Sequence, residues 1–319
     1  MRSNFWDNRR VFVVGGGGYL GIELVRALAQ YGARVTVFDR ADCRPAFAGF
    51  PGAPVAVKVG DLLRGDLAAS LAEVQPETCF HLAGLPGVAA SQADPGAAFE
   101  ANARGVWLFL LAAKVQPGIR EIVLASSNHV YGEQEILPTG EDSPLRGAST
   151  YAVSKICGDY AARAFVQYGL PIALARITNT FGAVDPHSEH IISSTIRAVL
   201  AGRRPVIRGN GKDSKGFLYY KDTINAFLTL AEELQAKRLF GEAFNFAPDS
   251  PITVLELTRV IARVLGRPDL EPAIQGDPNG PFEREYLSIE KARRVLGWSP
   301  SWRLEDAVRE AAAASGPAH

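Results

Sequence analysis

Tyr151 and Lys155 stand four residues apart, in a stretch whose periodicity predicts a helix from Tyr151 to Tyr168. That spacing puts both side chains on one helix face. An ammonium beside a phenol stabilises the phenolate and draws its pKa down from about 10 toward neutrality. Such a pair can take a hydroxyl proton while hydride leaves the same carbon. Ser127 lies 24 residues before Tyr151, just past the apolar run Ile122-Val123-Leu124-Ala125. Its hydroxyl can hydrogen-bond the reacting oxygen. The plainer reading of Ser127 is a strand-end cap, and Tyr and Lys often meet at this spacing by chance.

Hydride needs an acceptor, and the N-terminal segment offers a place for one. Val11-Phe12-Val13-Val14 predicts a buried strand, followed by Gly15-Gly16-Gly17-Gly18-Tyr19-Leu20-Gly21 and an amphipathic helix from Tyr19 to Gln30. Glycines there let the backbone turn tightly and approach a pyrophosphate, which the free N–H groups and dipole of the helix attract. Two frames fit. Gly16, Gly18 and Gly21 satisfy GxGxxG, while Gly15, Gly18 and Gly21 satisfy GxxGxxG, and spacing does not choose between them. Asp39 follows Gly15 by 24 residues and closes the second strand candidate. A carboxylate there can accept hydrogen bonds from both ribose hydroxyls and repel a 2′-phosphate, which favours NAD over NADP. Arg40 beside it could instead pair with that phosphate. Asp61 stands where a carboxylate could meet the adenine amine, although Asp is also a common turn residue.

The elements that position these groups are legible as alternation. Val35-Thr36-Val37-Phe38, Val55 to Val59, Cys79-Phe80-His81-Leu82 and Ile172-Ala173-Leu174-Ala175 are further strands, with helices expected over Leu67 to Val74 and Ala97 to Lys114. Continuous apolar strands separated by helices predict a parallel sheet covered on both faces. After about Asn179 the rhythm changes. Helices are expected at His190 to Ala201, Asp222 to Leu234, Val254 to Leu265 and Leu304 to Ala314, with a strand at Ala243 to Phe246, among prolines that include Pro278 and Pro281. The expected fold is α/β, a Rossmann-type doubly wound parallel sheet with a smaller, mixed C-terminal substrate-binding domain. Residues 1–178, with 216–247 returning, would build the first part; residues 179–215 and 248–319 would cover the sheet's carboxyl edge and end in a frayed tail.

Composition narrows the function. Lys+Arg and Asp+Glu are equal at 34 each in 319 residues, which argues against a nucleic-acid partner. No apolar run approaches about 18 residues, so no membrane span is expected. The start, Met1 to Asp7, lacks the apolar core of a signal peptide. Cys43, Cys79 and Cys157 form no CxxC pair, so neither a metal site nor a disulfide framework is expected, and a reducing, cytoplasmic setting is the default.

With these residues the chain resembles the extended short-chain dehydrogenase/reductase family, in particular its NAD-dependent nucleotide-sugar epimerases and dehydratases. The likeness covers nearly the whole chain. It rests on Gly15/Gly18/Gly21, Asp39, Asp61-Leu62, His81-Leu82-Ala83-Gly84, Ser126-Ser127 through Val130-Tyr131-Gly132, and Tyr151 to Lys155. It continues in Arg176-Ile177-Thr178-Asn179-Thr180-Phe181-Gly182, Phe217-Leu218-Tyr219 through Asp222, and Tyr286 to Trp298. The Phe5-Trp6 start and the Tyr286 to Trp298 stretch look most like CDP-glucose 4,6-dehydratases. The resemblance implies NAD held by Gly15, Gly18, Tyr19, Leu20, Gly21, Asp39, Arg40, Asp61, Leu62, Leu82, Ala83, Gly84, Asn102, Tyr151 and Lys155. It implies catalysis by Ser127, Tyr151 and Lys155 at C4 of a nucleotide-diphosphate sugar. It also implies a homodimer formed through the helices near Ala97 to Lys114 and Ala152 to Tyr168, where Tyr160-Ala161-Ala162-Arg163-Ala164 would allow close approach. An intramolecular core is the alternative use of those small residues.

Two departures bear on the reaction. Dehydratases of the family carry a second acid/base pair immediately after the Ser127 position, where this chain has Asn128 and His129. Asn128 has no proton to exchange at neutral pH, whereas His129 is a possible acid or base. The Ser-Asn-His run also resembles uronate dehydrogenases of the superfamily, which act on free sugar acids. The family's Arg-Asp pair before Phe217 is here Lys215-Gly216, and lysine meets phosphate as a point charge and not a fork. Asn179, Lys215 and Arg208 complete the expected substrate contacts with Ser127, Asn128 and His129. The leading expectation is 4-epimerisation. Dehydration with His129 as acid/base, a sugar or uronate dehydrogenase-reductase, and a non-catalytic NAD-binding sensor or scaffold are its rivals.

Overall fold

Seven apolar segments, each bounded by glycine, proline or a helix, pair into one sheet. In chain order they are β1 (Arg10–Val14), β2 (Arg34–Asp39), β3 (Val55–Val59), β4 (Thr78–His81), β5 (Glu121–Ser127), β6 (Ile172–Ile177) and β7 (Ala243–Phe246). The spatial order is β7-β6-β5-β4-β1-β2-β3, and every pairing is parallel. Parallel strands need both faces covered. Here Val11, Val13, Val35 and Val37 pack into one apolar cluster, and Phe12, Val14, Phe38 and Leu124 into another. The computed structural model describes residues 4–182, 185, 190–277, 279–280 and 283–314. The expected start of the chain (1–3), Pro278, Pro281 and the end of the tail (315–319) lie outside the described residues.

Helices Tyr19–Gln30, Asp66–Val74 and Thr150–Val166 lie within a few residues of expectation. The single helix expected over Ala97 to Lys114 is instead Pro95–Phe99, a π-helical turn at Glu100–Arg104 and Gly105–Lys114. A π turn widens the helix by one residue per turn. The residue at its middle, Asn102, is 1% exposed and donates to Ser154 Oγ at 3.0 Å and to the Leu85 carbonyl at 3.1 Å. Its amide oxygen accepts from Leu85 N at 2.9 Å. The widened turn thereby ties the loop after β4 to the Tyr151 helix.

The C-terminal third is more regular than its prolines imply. Ser214–Lys215 is the centre of a three-stranded sheet, antiparallel to Ile252–Thr253 and parallel to Arg284–Glu285. Asn179–Phe181 pairs in parallel with Phe217–Tyr219. These strands of two or three residues have no readable period, so they are found only through their partners. Helix Val254–Val264 starts with a capping box between Thr253 and Glu256.

Candidate active site

The strand order turns at β1, since β1 lies between β2 and β4. Doubly wound sheets bind ligands outside the carboxyl ends of the strands at such a point. β1 leads into Gly15, whose φ is +80° and whose added Cβ would stand 2.4 Å from Ala83 N. A Cβ on Gly21 would stand 2.4 Å from the Gly15 carbonyl. Gly18 differs: a Cβ there meets only the Gly15 carbonyl, at 3.5 Å. The protein's own packing therefore demands Gly15 and Gly21, and leaves Gly18 as the place where another molecule can approach the backbone. Gly16 is crowded as well, its added Cβ 2.7 Å from Val37, so both frames keep a tight first glycine and the same open Gly18 in the middle. Helix Tyr19–Gln30 starts at Gly18 with no side-chain cap, which leaves its first N–H groups for a ligand.

Asp39 closes β2 and faces this loop. Its Oδ2 accepts from Gly17 N at 2.9 Å and its Oδ1 from Ala41 N at 3.2 Å. Arg40 is exposed. Asp61 caps the short turn Leu62–Arg64, accepting from Leu63 N at 2.9 Å, with Arg64 Nε 3.6 Å from its other oxygen. Leu82 N and Ala83 N donate to the Val14 carbonyl at 2.8 and 3.0 Å, which holds the two loops side by side. An added Cβ on Gly84 would meet Asn102 Oδ1 at 2.4 Å. Asn102 itself, expected against the cofactor, spends both amide hydrogens and its oxygen inside the protein and acts by positioning. Leu20 is partly buried. The Tyr19 side chain turns inward against Tyr220, and burial raises its pKa.

Ser127 is the last residue of β5, 5% exposed, and its Oγ accepts from His129 N at 3.3 Å and lies 3.4 Å from Asn128 Oδ1. The serine caps the turn Asn128–Val130 and stands within hydrogen-bonding reach of Tyr151. Burial raises the Tyr151 pKa, and hydrogen bonding with Ser127 opposes the rise. The expected acidification by Lys155 is corrected here. Lys155 Nζ donates to the Ala125 carbonyl of β5 at 2.7 Å, and is not what offsets the burial of the phenol. Burial lowers the Lys155 pKa to about 8, with Asp159 working the other way. The two side chains share a helix face, yet the lysine is held by the sheet.

His129 packs edge-on against Tyr151, with ring centroids 5.7 Å apart. Its Nδ1 lies 3.5 Å from Glu285 Oε1. Lys215 Nζ pairs with Glu283 at 2.8 Å and lies 3.7 Å from Glu285 Oε2. Asn179 Nδ2 donates to the Gly216 carbonyl at 3.2 Å, so the short strands hold Asn179 beside the Lys215 segment. Arg208 is exposed and borders a cleft of about 670 Å³ together with Arg197, Arg203, Arg204 and Asp213. Glu283 and Glu285 escape a reading of the sequence. They sit in an irregular Pro- and Gly-rich stretch, and only the pairing of Arg284–Glu285 with Ser214–Lys215 brings them to His129.

The chain is similar to known proteins over most of its length. Residues 11–247 match the NAD dependent epimerase/dehydratase family. A UDP-glucose 4-epimerase of Mycolicibacterium smegmatis is 31% identical over 94% of this chain and 96% of its own. A CDP-glucose 4,6-dehydratase of Salmonella typhimurium is 28% identical over 96% of this chain and 90% of its own. Among solved structures, a UDP-N-acetylglucosamine 4-epimerase from Methanobrevibacter ruminantium, in complex with UDP-N-acetylmuramic acid, superposes with a TM-score of 0.87 at 26% identity. It covers 97% of this chain and 98% of its own.

Proposed function

Since the chain belongs to the NAD dependent epimerase/dehydratase family, we propose that it inverts C4 of a nucleotide-diphosphate hexose by transient oxidation at that carbon. NAD supplies the hydride acceptor. The open backbone at Gly18, the uncapped helix behind it and the Asp39 carboxylate fit a dinucleotide's pyrophosphate and ribose.

Ser127 and Tyr151 receive the 4-hydroxyl of the sugar. Tyr151 takes its proton as hydride leaves C4, and gives the proton back when hydride returns to the other face. Burial keeps the phenol protonated in the free protein, so the site becomes basic only when positive charge enters it. Lys155 shares the Tyr151 helix face, with its ammonium held by the Ala125 carbonyl of β5. Inversion requires the keto sugar to present its second face while the nucleotide stays anchored. The arginine-bordered cleft is suited by size and charge to that anchor. Residues 179–215 and 248–319 form the substrate-binding part in this reading, and residues 1–178 with 216–247 the part that holds NAD.

The choice of epimerisation rests on Asn128. An elimination needs a second acid/base pair beside Ser127, and an amide cannot supply a proton. The 4-epimerase relative supports the same choice. One observation favours dehydration instead: His129, edge-on to Tyr151, is a group that could move a proton there.

The test is incubation of the purified protein with UDP-, CDP- and GDP-hexoses without added NAD. Inversion at C4 is expected. A product absorbing near 320 nm in alkali, about what a 4-keto-6-deoxy sugar gives, identifies a dehydratase, and stoichiometric NADH a dehydrogenase; general acid/base residues of this kind contribute about 100-fold or more. Tyr151→Phe should therefore lose at least that factor in rate and still bind NAD, whereas a sensor would keep its output.

A homodimer belongs to the same proposal. Phe99, Trp107, Leu111, Val153, Tyr160 and Tyr168 are exposed on the two helical stretches named for it. Ala161 and Ala162 instead face the protomer's own core, so close approach through them is not part of the reading. A cytoplasmic setting is proposed on three cysteines that are free thiols.

A further inference from the structure

We propose that Glu285 selects neutral hexoses and rejects sugars that carry a carboxylate at C6; this rests on the nucleotide-sugar reading above. Glu285 belongs to the strand Arg284–Glu285 and is paired in register with Lys215. One imidazole separates it from the reacting phenol: Oε1 is 3.5 Å from His129 Nδ1, and the His129 ring is edge-on to Tyr151 at 5.7 Å. Its other oxygen, Oε2, is buried and has no hydrogen-bond partner among the described residues. A buried, unsatisfied carboxylate oxygen is costly, and a ligand hydroxyl donating to it removes that cost.

The charge around it has one sign in excess. Lys215 is the cation beside Glu285 and already pairs with Glu283 at 2.8 Å, a full ångström nearer than Glu285 Oε2 at 3.7 Å. The hydrogen bond and charge of Lys215 hold the Glu283 carboxyl below the usual range, so it stays ionised at neutral pH. Glu283 and Glu285 thus share one ammonium, so carboxyl groups outnumber the lysine beside them. A sugar hydroxyl is accepted there. A sugar carboxylate would meet like charge in a partly buried setting, where repulsion is screened far less than in water. The Ser-Asn-His run, which resembles that of enzymes acting on sugar acids, is thus followed in space by a residue that opposes them.

The test compares UDP-glucose with UDP-glucuronate by titration calorimetry on the NAD-loaded enzyme, alongside the thermal midpoint of each variant. The wild type should bind UDP-glucose about 100-fold tighter, ~2.7 kcal/mol at 1.36 kcal/mol per decade. Glu285→Gln, which keeps the shape, should narrow the ratio at least tenfold, mainly by strengthening the uronate. Glu283→Gln frees Lys215 to pair with Glu285 and should narrow the ratio in the same direction but by less, since the Glu283 side chain is 68% exposed. Equal affinities in the wild type, or an unchanged ratio in Glu285→Gln, overturn the selectivity while leaving the nucleotide-sugar reading intact. If neither ligand binds, the selectivity falls, and the nucleotide-sugar reading falls with it only when CDP- and GDP-hexoses also fail to bind.

Discussion

Two charged networks lie within a few residues of each other and are built differently. In the first, Arg176 and Asp159 are 0% and 1% exposed and meet at 2.9 Å. Arg176 also donates to Tyr131 Oη at 2.8 Å, Tyr131 to Asn245 Oδ1 at 2.7 Å, and Asn245 to the Thr139 and Ser288 carbonyls. It joins β6, β7, the loop after β5 and the Tyr151 helix. In the second, His129, Glu285 and Lys215 meet at the longer 3.5 and 3.7 Å; both networks leave buried atoms without a hydrogen-bond partner among the described residues, Asp159 Oδ1 and Arg176 Nη2 in the first and Glu285 Oε2 in the second. The first is closed by short hydrogen bonds across several elements, whereas the second holds Glu285 by longer contacts alone.

That contrast can be broken from the dense side first. Arg176→Met leaves Asp159 buried without its cation, and should cost about 3–5 kcal/mol of stability by denaturant titration. A loss below 1 kcal/mol would mean that the network is ornamental. Next in size is acid sensitivity. His81, at the end of β4, is fully buried with Nε2 unpartnered among the described residues, and burial lowers its pKa to about 3. The unfolded chain binds a proton below about 6.5 and the folded chain does not, so stability falls as pH drops from there toward 3, by ~1.4 kcal/mol per unit. Denaturant midpoints at pH 7, 6 and 5 should show this slope, and His81→Gln should flatten it; an equal slope in both would refute the assignment. The smallest effect sharpens the open side. Gly18→Ala should cost about 1 kcal/mol of stability, because alanine is a poorer N-cap than glycine, yet weaken NAD binding about tenfold, ~1.4 kcal/mol. Gly15→Ala, with its positive φ and the Ala83 backbone at 2.4 Å, should instead destabilise the fold. Identical behaviour of the two would remove the distinction drawn between them.

The same contrast explains what was legible in the sequence. Long apolar runs such as Ile172-Ala173-Leu174-Ala175 announce buried parallel strands because they need no partner to be recognised. Motif residues were legible as a set but not by role. Arg176 and Tyr131 stand in family-like motifs and turn out to brace the fold, and Asn102 braces a loop. The direction of Lys155 was hidden, because helix spacing gives the shared face but not the β5 carbonyl that captures the ammonium. Glu285 was hidden for the opposite reason. It has no spacing relative to His129, and a two-residue strand carries it there.

The central claim is that the hydrogen on C4 leaves as hydride and comes back to the same carbon. A nucleotide hexose deuterated at C4, turned over by the enzyme with no NAD added and followed by NMR, tests it directly. The inverted product should still carry deuterium at C4. Deuterium found at C6 or washed into solvent would contradict it.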